Sequence, residues 1–263
     1  MNRRILKFKV FALAIALVIT GFYLYLEPRY VAPILTYHHI DVREEDPLLG
    51  VSPENFRRQM RFLARHKYNV ISLTELVQAM TDKKKLPRNT VVLTFDDGRE
   101  DNYIWAFPLL KKYNFPATIF VIVDSLNKPG FLNNAQIREM IASGIIDIES
   151  HTLSHCYISS AGAAELEREI GGSKKELESR FNKKVNFFAY PLGAFSPQAQ
   201  EVVKKYGYLG ACTTNKGKVQ TWRNDDRFAL KRIKVKDSWP NLFVFWIKLS
   251  GYYNLFRSVK TPP

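Results

Sequence analysis

Eight short runs of apolar, β-branched or aromatic residues alternate with helical patterns along most of this chain. Such an alternation is typical of a parallel sheet whose strands are joined by helices, either closed into a barrel or doubly wound. Two of the helices begin with a capping serine followed by a proline, Ser52-Pro53 and Ser196-Pro197. The predicted strands are 33–37, 69–72, 90–95, 117–123, 145–149, 185–190, 209–213 and 230–235. The predicted helices are 53–67, 74–80, 100–113, 134–143, 163–181 and 197–206.

Several predicted strands end in residues of the kinds that catalytic sites use. His38 follows the first strand, Asp96 and Asp97 follow the third, His151 follows the fifth, and Leu192 lies just past the sixth. In a β/α barrel the loops after all strands converge on one mouth, whereas an open sheet gathers residues mainly at one crevice. The sequence therefore predicts an α/β fold in which the sheet closes into a barrel.

The amino-terminal segment differs in kind from the rest of the chain. Four basic residues precede an uncharged apolar run of 17 residues at positions 10–26. This run is at the short end of the range for a transmembrane helix, and no Ala-x-Ala-like cleavage site follows it. We predict an uncleaved signal anchor in residues 1–30, with a cleaved signal peptide and a secreted protein as the alternative. Because cationic flanks stay in the cytoplasm, the rest of this single-pass cell-membrane protein is expected outside.

The chain beyond the anchor is basic. After residue 27 it has 35 Lys and Arg against 24 Asp and Glu, a balance of +11. This charge suits a soluble basic surface, or attraction to anionic lipid headgroups or wall polymers. Nucleic acid is not an expected partner, because an exported protein is separated from it and the sequence has no nucleic-acid-binding motif. Cys156 and Cys212 can pair outside the cell only if the fold brings them close together.

Two motifs indicate the chemistry most clearly: Thr94-Phe95-Asp96-Asp97-Gly98 and His151-Thr152-Leu153-Ser154-His155. A divalent cation such as zinc takes nitrogen and oxygen ligands, and a catalytic site keeps one coordination position open. One carboxylate and two imidazoles fill three positions, and the second carboxylate remains free to take a proton from water. Asp-Asp-Gly alone is common turn chemistry. The two motifs together, each after a strand-like run, predict a mononuclear metal hydrolase.

The two motifs closely resemble the first two motifs of the polysaccharide deacetylases of carbohydrate esterase family 4, over roughly residues 31–240. The resemblance implies that Asp96 is the general base and that Asp97, His151 and His155 bind one divalent metal ion. Zinc is the expected ion, with cobalt, nickel or manganese as alternatives. The family also implies an irregular (β/α) barrel of about seven strands, which here follows an N-terminal transmembrane helix.

Tyr190-Pro191-Leu192-Gly193 resembles the third motif of the family, which is usually Arg-x-Pro-Tyr. In the family the backbone N–H after the proline helps to hold the oxyanion, and this role falls here on Leu192. Ala189 stands where the family has an arginine that orients the base. Arg232 follows a strand-like run and is a candidate for the missing partner of Asp96.

The general acid departs from the common pattern of the family. That pattern takes a histidine from a C-terminal Leu-x-His motif, but no histidine follows His155, and Leu230-Lys231-Arg232 stands at that place. A branch of the family that includes deacetylases of poly-β-1,6-N-acetylglucosamine, a biofilm polymer, takes its acid from an N-terminal Tyr-His element. Tyr37-His38-His39 resembles that element. We therefore predict His38 as the acid, with His39 as the alternative.

The predicted function is metal-dependent removal of acetyl groups from N-acetylglucosamine units of a cell-surface polysaccharide of this type. Peptidoglycan, chitin oligomers and O-acetylated xylan are alternative substrates, and a non-catalytic polysaccharide-binding or export protein is an alternative of another class. A glycoside hydrolase is disfavoured, because adjacent Asp96 and Asp97 point to opposite sides of an extended chain. The expected partners are the N-acetylated polymer, the membrane and the polymer's synthesis or export machinery. Trp105, Trp222 and Trp239 are candidate platforms for sugar rings.

Three segments make up the predicted organisation of the chain. Residues 1–30 form the anchor, residues 31–240 form the catalytic barrel, and residues 241–263 form an apolar tail. The tail is too short to span a membrane. We expect it to form a helix packed on the barrel, with a segment at the membrane surface as the alternative.

Overall fold

The computed structural model describes residues 3–27, 30–41, 49–214, 226–237 and 242–253 as a parallel sheet surrounded by helices. The strands are β1 (Ile34–Tyr37), β2 (Asn69–Ile71), β3 (Thr90–Phe95), β4 (Ala117–Val121), β5 (Ile146–Ser150), β6 (Phe187–Ala189), β7 (Gly210–Thr213), β8 (Leu230–Lys231) and β9 (Ile233–Lys234). The α-helices are α1 (Arg3–Leu26), α2 (Pro53–Arg65), α3 (Leu73–Thr81), α4 (Phe107–Tyr113), α5 (Asn134–Ala142), α6 (Ala163–Leu166), α7 (Ser173–Phe181), α8 (Pro197–Lys205) and α9 (Leu242–Leu249). Two π-helical turns interrupt the helices, Asn102–Ala106 before α4 and Glu167–Gly172 between α6 and α7.

The sheet bends until its two edges nearly meet. Its strand order is β8-β7-β6-β5-β4-β3-β1-β9, with β2 paired to β3. Strand β8 pairs with β7 through Leu230 and Cys212, and β9 pairs with β1 through Ile233 and Leu35. The last predicted strand is therefore two short strands that separate at Arg232 and bind opposite edges of the sheet. This seam confirms the predicted β/α barrel.

Helix α2 packs on the outside of the barrel against β1 and β3. Its buried residues recur at helical spacing: Phe56, Gln59, Met60 and Leu63. The Phe56 ring lies 5.2 Å from the ring of Tyr37 and 5.9 Å from the ring of Phe95, between centroids. Tyr37 and Phe95 directly precede His38 and Asp96. Close packing outside the barrel therefore fixes the two strand ends that carry these site residues.

The inside of the barrel changes from apolar to polar along the strands. Four buried side chains fill it in the amino-terminal halves of their strands: Ile34, Val92, Phe187 and Leu230. Three buried polar side chains stand two positions further along their strands: Thr36, Thr94 and Arg232. Since side chains alternate across a strand, both sets face the same interior. The polar groups at the mouth therefore lie above a layer of buried apolar side chains.

The apolar segment of the amino-terminal helix α1 is exposed instead of packed on the barrel. Its segment Lys7–Leu26 is 20 residues long, apolar enough to cross a membrane, and not buried against the rest of the chain. Exposed apolar side chains run along it from Phe8 to Tyr25. It is a candidate membrane anchor or signal sequence, as the apolar run at positions 10–26 predicts.

Helix α9 lies within the predicted apolar tail. Phe245 and Leu249 are buried, and the Phe245 ring lies 5.9 Å from the ring of Phe62 on α2. Phe243 and Trp246 remain exposed on the other side of the helix. Packing of α9 therefore uses one face only. Residues 241 and 254–263 of the tail lie outside the described part of the chain.

Candidate active site

The predicted site residues meet at the carboxyl ends of the strands. Asp96 continues β3, and its N–H donates to the carbonyl of Tyr37 at 2.9 Å. His151 continues β5 in the same way, with its N–H 2.9 Å from the carbonyl of Val121. His38 follows β1, and Arg232 lies between β8 and β9. Parallel strand pairing therefore brings residues that are far apart in sequence to one mouth.

Three side chains form a group that could hold a metal ion. The ligand atoms of Asp97, His151 and His155 all lie within 4.8 Å of one another. Oδ1 of Asp97 is 3.7 Å from Nε2 of His151 and 3.8 Å from Nε2 of His155. Ligands bound tetrahedrally to zinc lie about 3.4 Å apart, so small movements would close the group around an ion. The donor set therefore fits a divalent metal.

The environment of His151 prepares one of its nitrogens for a metal. Its Nδ1–H donates to the carbonyl of Ala189 at 2.7 Å, which leaves the lone pair of Nε2 facing Asp97. His155 is different, because its side chain is 32% exposed and opens the group toward solvent. Burial and the neighbouring His151 lower the pKa of His155, while Asp97 and Asp96 act in the opposite direction. The lowered pKa favours His155 as a neutral ligand at neutral pH.

The backbone of the metal group is strained in three places. Asp97, Thr152 and His155 have φ of 70°, 70° and 63°, a region that residues other than glycine seldom adopt. The left-handed turn at Asp97 directs its carboxylate toward the two histidines. The extended chain expected at Asp96 and Asp97 is therefore not observed, and Asp96 pairs with Arg232 while Asp97 faces the histidines. Gly98 continues the turn, and a Cβ there would lie 2.8 Å from the Val121 side chain.

The loop between the two histidines is held by a buried carboxylate, Glu169. Its Oε2 accepts the N–H groups of Leu153 at 3.0 Å and Ser154 at 2.9 Å, and its Oε1 accepts the Ser154 hydroxyl at 2.9 Å. The Thr152 hydroxyl oxygen also accepts the N–H of His155 at 2.8 Å. Glu169 lies in the π-helical turn between α6 and α7. This support is typical of residues that orient metal ligands.

Sequence reasoning missed Glu169, although the sequence carries a signal for it. The residue lies on the buried face of the predicted helix 163–181, between Leu166 and Leu177. A glutamate on an apolar helix face has to find hydrogen-bond donors when it is buried. The π-helical turn, which the periodicity does not reveal, aims the carboxylate at the histidine loop.

Asp96 forms a buried bidentate pair with Arg232. Nη1 of Arg232 lies 2.6 Å from Oδ1, and Nη2 lies 2.7 Å from Oδ2. Burial alone would raise the pKa of Asp96, but Arg232, His151 and His38 hold it well below its usual range. The guanidinium thus reaches Asp96 from the barrel seam, although Ala189 replaces the family's arginine. The contact is present, and its role in catalysis stays a prediction.

The structure brings His38, and not His39, to Asp96. Nε2 of His38 lies 3.8 Å from Oδ2 of Asp96, and the side chain is 14% exposed. Burial lowers the pKa of His38 to about 4, against the raising effect of Asp96 and Asp97. His39 points away and contacts Asp101, with Nδ1 and Oδ2 3.0 Å apart.

Asp101 and Asn102 hold the segment that carries His38. The Asn102 side chain donates to the carbonyl of His38 at 2.9 Å, and Oδ1 of Asp101 accepts the N–H of Ile40 at 3.1 Å. Both residues are buried and lie three and four residues after Gly98 of the Asp-Asp-Gly turn. Sequence reasoning missed them too, because their partners lie some sixty residues earlier in the chain.

Leu192 lies at an exposed turn on the rim of the mouth. Its φ is 56° and its side chain is 71% exposed. The turn is closed by a hydrogen bond from the N–H of Gly193 to the carbonyl of Tyr190 at 2.9 Å. A Cβ at Gly193 would collide with Thr214 after β7, so the turn is pressed against the next strand. The backbone is thereby fixed without help from the Leu192 side chain.

The other residues singled out in the sequence are two cysteines and three tryptophans. Cys156 and Cys212 are free thiols, partly exposed and buried respectively, and form no disulfide. Trp105 is 45% exposed on the π-helical turn before α4. Trp222 and Trp239 lie outside the described residues.

Known proteins provide the comparison that decides the family. The family model for polysaccharide deacetylase matches residues 83–211. A protein of Bacillus subtilis (strain 168), assigned as a polysaccharide deacetylase, is 34% identical over 203 residues, or 77% of this chain and 71% of that protein. The chain belongs to the polysaccharide deacetylase family.

Two further relatives support this deacetylase assignment. The structure of the Streptococcus pyogenes deacetylase PplD in complex with acetate has a TM-score of 0.74 and 30% identity, over 82% of this chain and 98% of that chain. The poly-β-1,6-N-acetyl-D-glucosamine N-deacetylase of Staphylococcus epidermidis is 27% identical over 241 residues, or 81% of this chain and 82% of that protein. Membership confirms the predicted polysaccharide deacetylase, a hydrolase of amide bonds.

Proposed function

We propose that this deacetylase removes acetyl groups from N-acetylglucosamine units of a cell-surface polymer of the poly-β-1,6-N-acetylglucosamine type. The observation that carries the proposal is the contact of His38 with Asp96, 3.8 Å apart, because it supplies an acid from the first strand of the barrel. Relatives at 27% and 29% identity are named for this polymer. Their names support the substrate class, and the chemistry of the site supports the reaction.

Asp97, His151 and His155 would hold one divalent ion, for which we propose zinc. A bound divalent ion lowers the pKa of water and polarises a carbonyl group. The Ala189 carbonyl fixes the ring of His151, and Glu169 fixes the loop that leads to His155. These supports keep the ligand atoms in place before an ion arrives, which reduces the cost of binding it.

Asp96 acts as the general base. Arg232 holds both carboxylate oxygens, so the side chain stays ionised and fixed in one orientation. As water attacks the acetyl carbonyl, Asp96 accepts its proton. The backbone N–H of Leu192 donates to the oxygen on which negative charge grows. The strained turn at Leu192 keeps that donor at the rim of the mouth.

His38 acts as the general acid. Its depressed pKa keeps it neutral at pH 7 in the free protein, so it gains its proton during the cycle. Asp96 is the donor, because its pKa is lower still and its Oδ2 is 3.8 Å from Nε2 of His38. The proton taken from water thus passes from Asp96 to His38, and from His38 to the departing amine. Acetate and a free glucosamine amine are the products.

The test is acetate release by the purified, metal-loaded full chain. Poly-β-1,6-N-acetylglucosamine, peptidoglycan and chitin oligomers are compared with and without a chelator. Chelator-sensitive release that is fastest from the first polymer supports the proposal. Faster release from peptidoglycan or chitin reassigns the substrate. Polymer binding without acetate release from any of them contradicts the enzyme and favours a binding or export role.

In this proposal α1 is an uncleaved anchor and the barrel lies outside the cytoplasm. The supporting observation is the exposed apolar segment Lys7–Leu26, which begins with basic residues. Protease added to spheroplasts should digest the barrel, and N-terminal sequencing of the membrane fraction should find the intact chain. A soluble product that begins near residue 30 would instead show cleavage and secretion. The polymer's synthesis or export machinery is the proposed partner at the membrane.

A further inference from the structure

The face opposite the active-site mouth is rich in exposed cations. It consists of the loops that lead from helices into the amino ends of the strands, and we call it the basal face. Its exposed basic residues are Lys83, Lys84, Lys85 and Arg88 before β3, Lys111 and Lys112 before β4, Lys184 before β6, and Lys204 and Lys205 before β7. A face with this charge attracts an anionic surface.

Helix ends account for part of this charge but not for the loop 82–89. Lysines in the last turn of α4 and α8 interact favourably with the helix dipole. Lys204 and Lys205 are also paired, with Glu201 and Glu167. The loop 82–89 lies beyond the end of α3 and carries four cations against one acid. Within the described residues, Lys83 and Lys84 form no ion pair.

The loop 82–89 lies where the anchor helix ends. The guanidinium of Arg88 stands 4.7 Å from the centre of the Tyr23 ring near the end of α1. Lys85 forms an ion pair with Glu27, the first acidic residue after the membrane segment. The Tyr30 hydroxyl donates to the carbonyl of Pro87 at 3.1 Å. These contacts place the loop beside the end of Lys7–Leu26 that would leave a bilayer, at the membrane–water interface. Tyrosines are common at that interface.

We propose that the loop 82–89 binds the phosphate headgroups of anionic phospholipids in the leaflet from which α1 emerges. This inference rests on α1 crossing the membrane and is independent of the polymer that the enzyme deacetylates. Lysine and arginine are the side chains that bind phosphate, and juxtamembrane basic clusters are attracted to anionic lipid. Because the basal face is opposite the mouth, such binding turns Asp96 and the metal group away from the membrane. The polymer can then enter from the open side.

The test measures backbone hydrogen exchange of the full chain in lipid nanodiscs. One set of discs contains phosphatidylcholine only, and the other contains a third phosphatidylglycerol. Amides of the segment 82–89 should exchange roughly fivefold more slowly in the anionic discs, the ratio expected from one basic residue near an anionic surface. Added salt should reduce the difference, since it screens surface charge. The turn at Leu192 serves as an internal reference, because it lies at the mouth.

Two charge-reversal variants distinguish the basal face from a general effect of net charge. Lys84→Glu combined with Arg88→Glu should abolish the protection. Arg58→Glu combined with Arg61→Glu changes the charge equally on the exposed side of α2 and should leave it intact. Equal exchange in both kinds of disc, or equal losses in both variants, would overturn the proposal. Protection that appears only when an anionic wall polymer is added would also overturn it, as would a chain that elutes apart from the discs.

Discussion

The mouth of the barrel has two halves that hold their residues in different ways. On the proposed metal half, the candidate ligands His151 and His155 are oriented mostly by neutral backbone groups and by one carboxylate, Glu169. On the proton-transfer half, Asp96 is oriented by a charged side chain, Arg232, across the barrel seam. The metal half is thus fixed by local hydrogen bonds, whereas the proton-transfer half depends on a buried ion pair between distant strands.

This difference implies that substitutions can impair turnover and metal affinity separately. A change on the proton-transfer half should remove turnover and leave metal affinity intact. A change in the support of the metal half should first reduce metal affinity, and activity should return when metal is in excess. Most of the following predictions test whether this separation exists.

The largest expected effect follows Asp96→Asn. The amide cannot accept the water proton, so kcat should fall about a thousandfold, within the range for general base catalysis. Zinc affinity, measured by competition with a chromophoric chelator, should stay close to that of the wild type. Activity near the wild-type rate would show that Asp96 is not the base, and loss of zinc would show that the halves are not separate.

Arg232→Ala is expected to affect both stability and proton transfer. It leaves the buried carboxylate of Asp96 without its partner, which typically lowers the free energy of unfolding by about 3–5 kcal/mol. The pKa of Asp96 should then rise, because burial is no longer opposed by the guanidinium. Denaturant unfolding and the pH profile of kcat measure the two effects. Arg58→Ala, at an exposed position, is the matched control, and an equal loss of stability there would contradict this explanation.

His38→Gln should lower kcat about a hundredfold without changing zinc affinity, because the amine then departs without its acid. His39→Gln should alter stability more than catalysis, since His39 contacts Asp101 rather than Asp96. Steady-state kinetics and thermal melting of both variants separate these outcomes. If His39→Gln loses turnover at full stability while His38→Gln keeps it, the assignment of the acid is reversed.

Glu169→Gln tests the support of the metal half. The amide keeps the shape of the side chain but offers one acceptor oxygen to the three donors of the histidine loop. Zinc affinity should fall about 10–100-fold, the usual cost of removing such a support. Activity should recover in excess zinc. Glu167→Gln is the matched control on the same π-helical turn, and a similar loss there would show a general effect on the helix.

The smallest predicted effect is a pH dependence of stability in the metal-free protein. His38 has a pKa lowered to about 4 in the folded state, from the model-peptide value of about 6.5. The unfolded chain therefore binds more protons between these values, so stability is fully present above about pH 6.5 and falls toward pH 4. The slope should be shallower in His38→Gln. An equal slope in both proteins would show that His38 is not buried in its neutral form.

The sequence predicts the strands and the motifs because these signals are local. Asp96 and His151 stand just after strand-like runs, with Asp97 one residue and His155 four residues further on, and a barrel carries its chemistry at that place. The split of the last predicted strand is not visible locally, since Arg232 has strand-like residues on both sides. It depends on which edges of the sheet the two halves meet.

The left-handed turn at Asp97 and the reach of Glu169 escape prediction for related reasons. The surrounding fold imposes an uncommon backbone conformation on Asp97, and the residues next to it in sequence do not indicate that conformation. Glu169 reaches the histidine loop because a π-helical turn changes the helical phase. Local signals of this kind do not assign roles to residues. The resemblance to polysaccharide deacetylases implies such roles, and comparison with known proteins shows that the chain belongs to that family.

The barrel seam determines when, during folding, Asp96 acquires its partner Arg232. Leu35 and Ile233 are partners in neighbouring strands, yet nearly two hundred residues of chain separate them. Contacts between such distant positions form late, because a large loop has to close first. Arg232 sits at that closure, so Asp96 meets its guanidinium only when the two ends of the barrel have joined. Completion of the fold and pairing of the proposed base with Arg232 are therefore one event, which a chain truncated before Arg232 cannot reach.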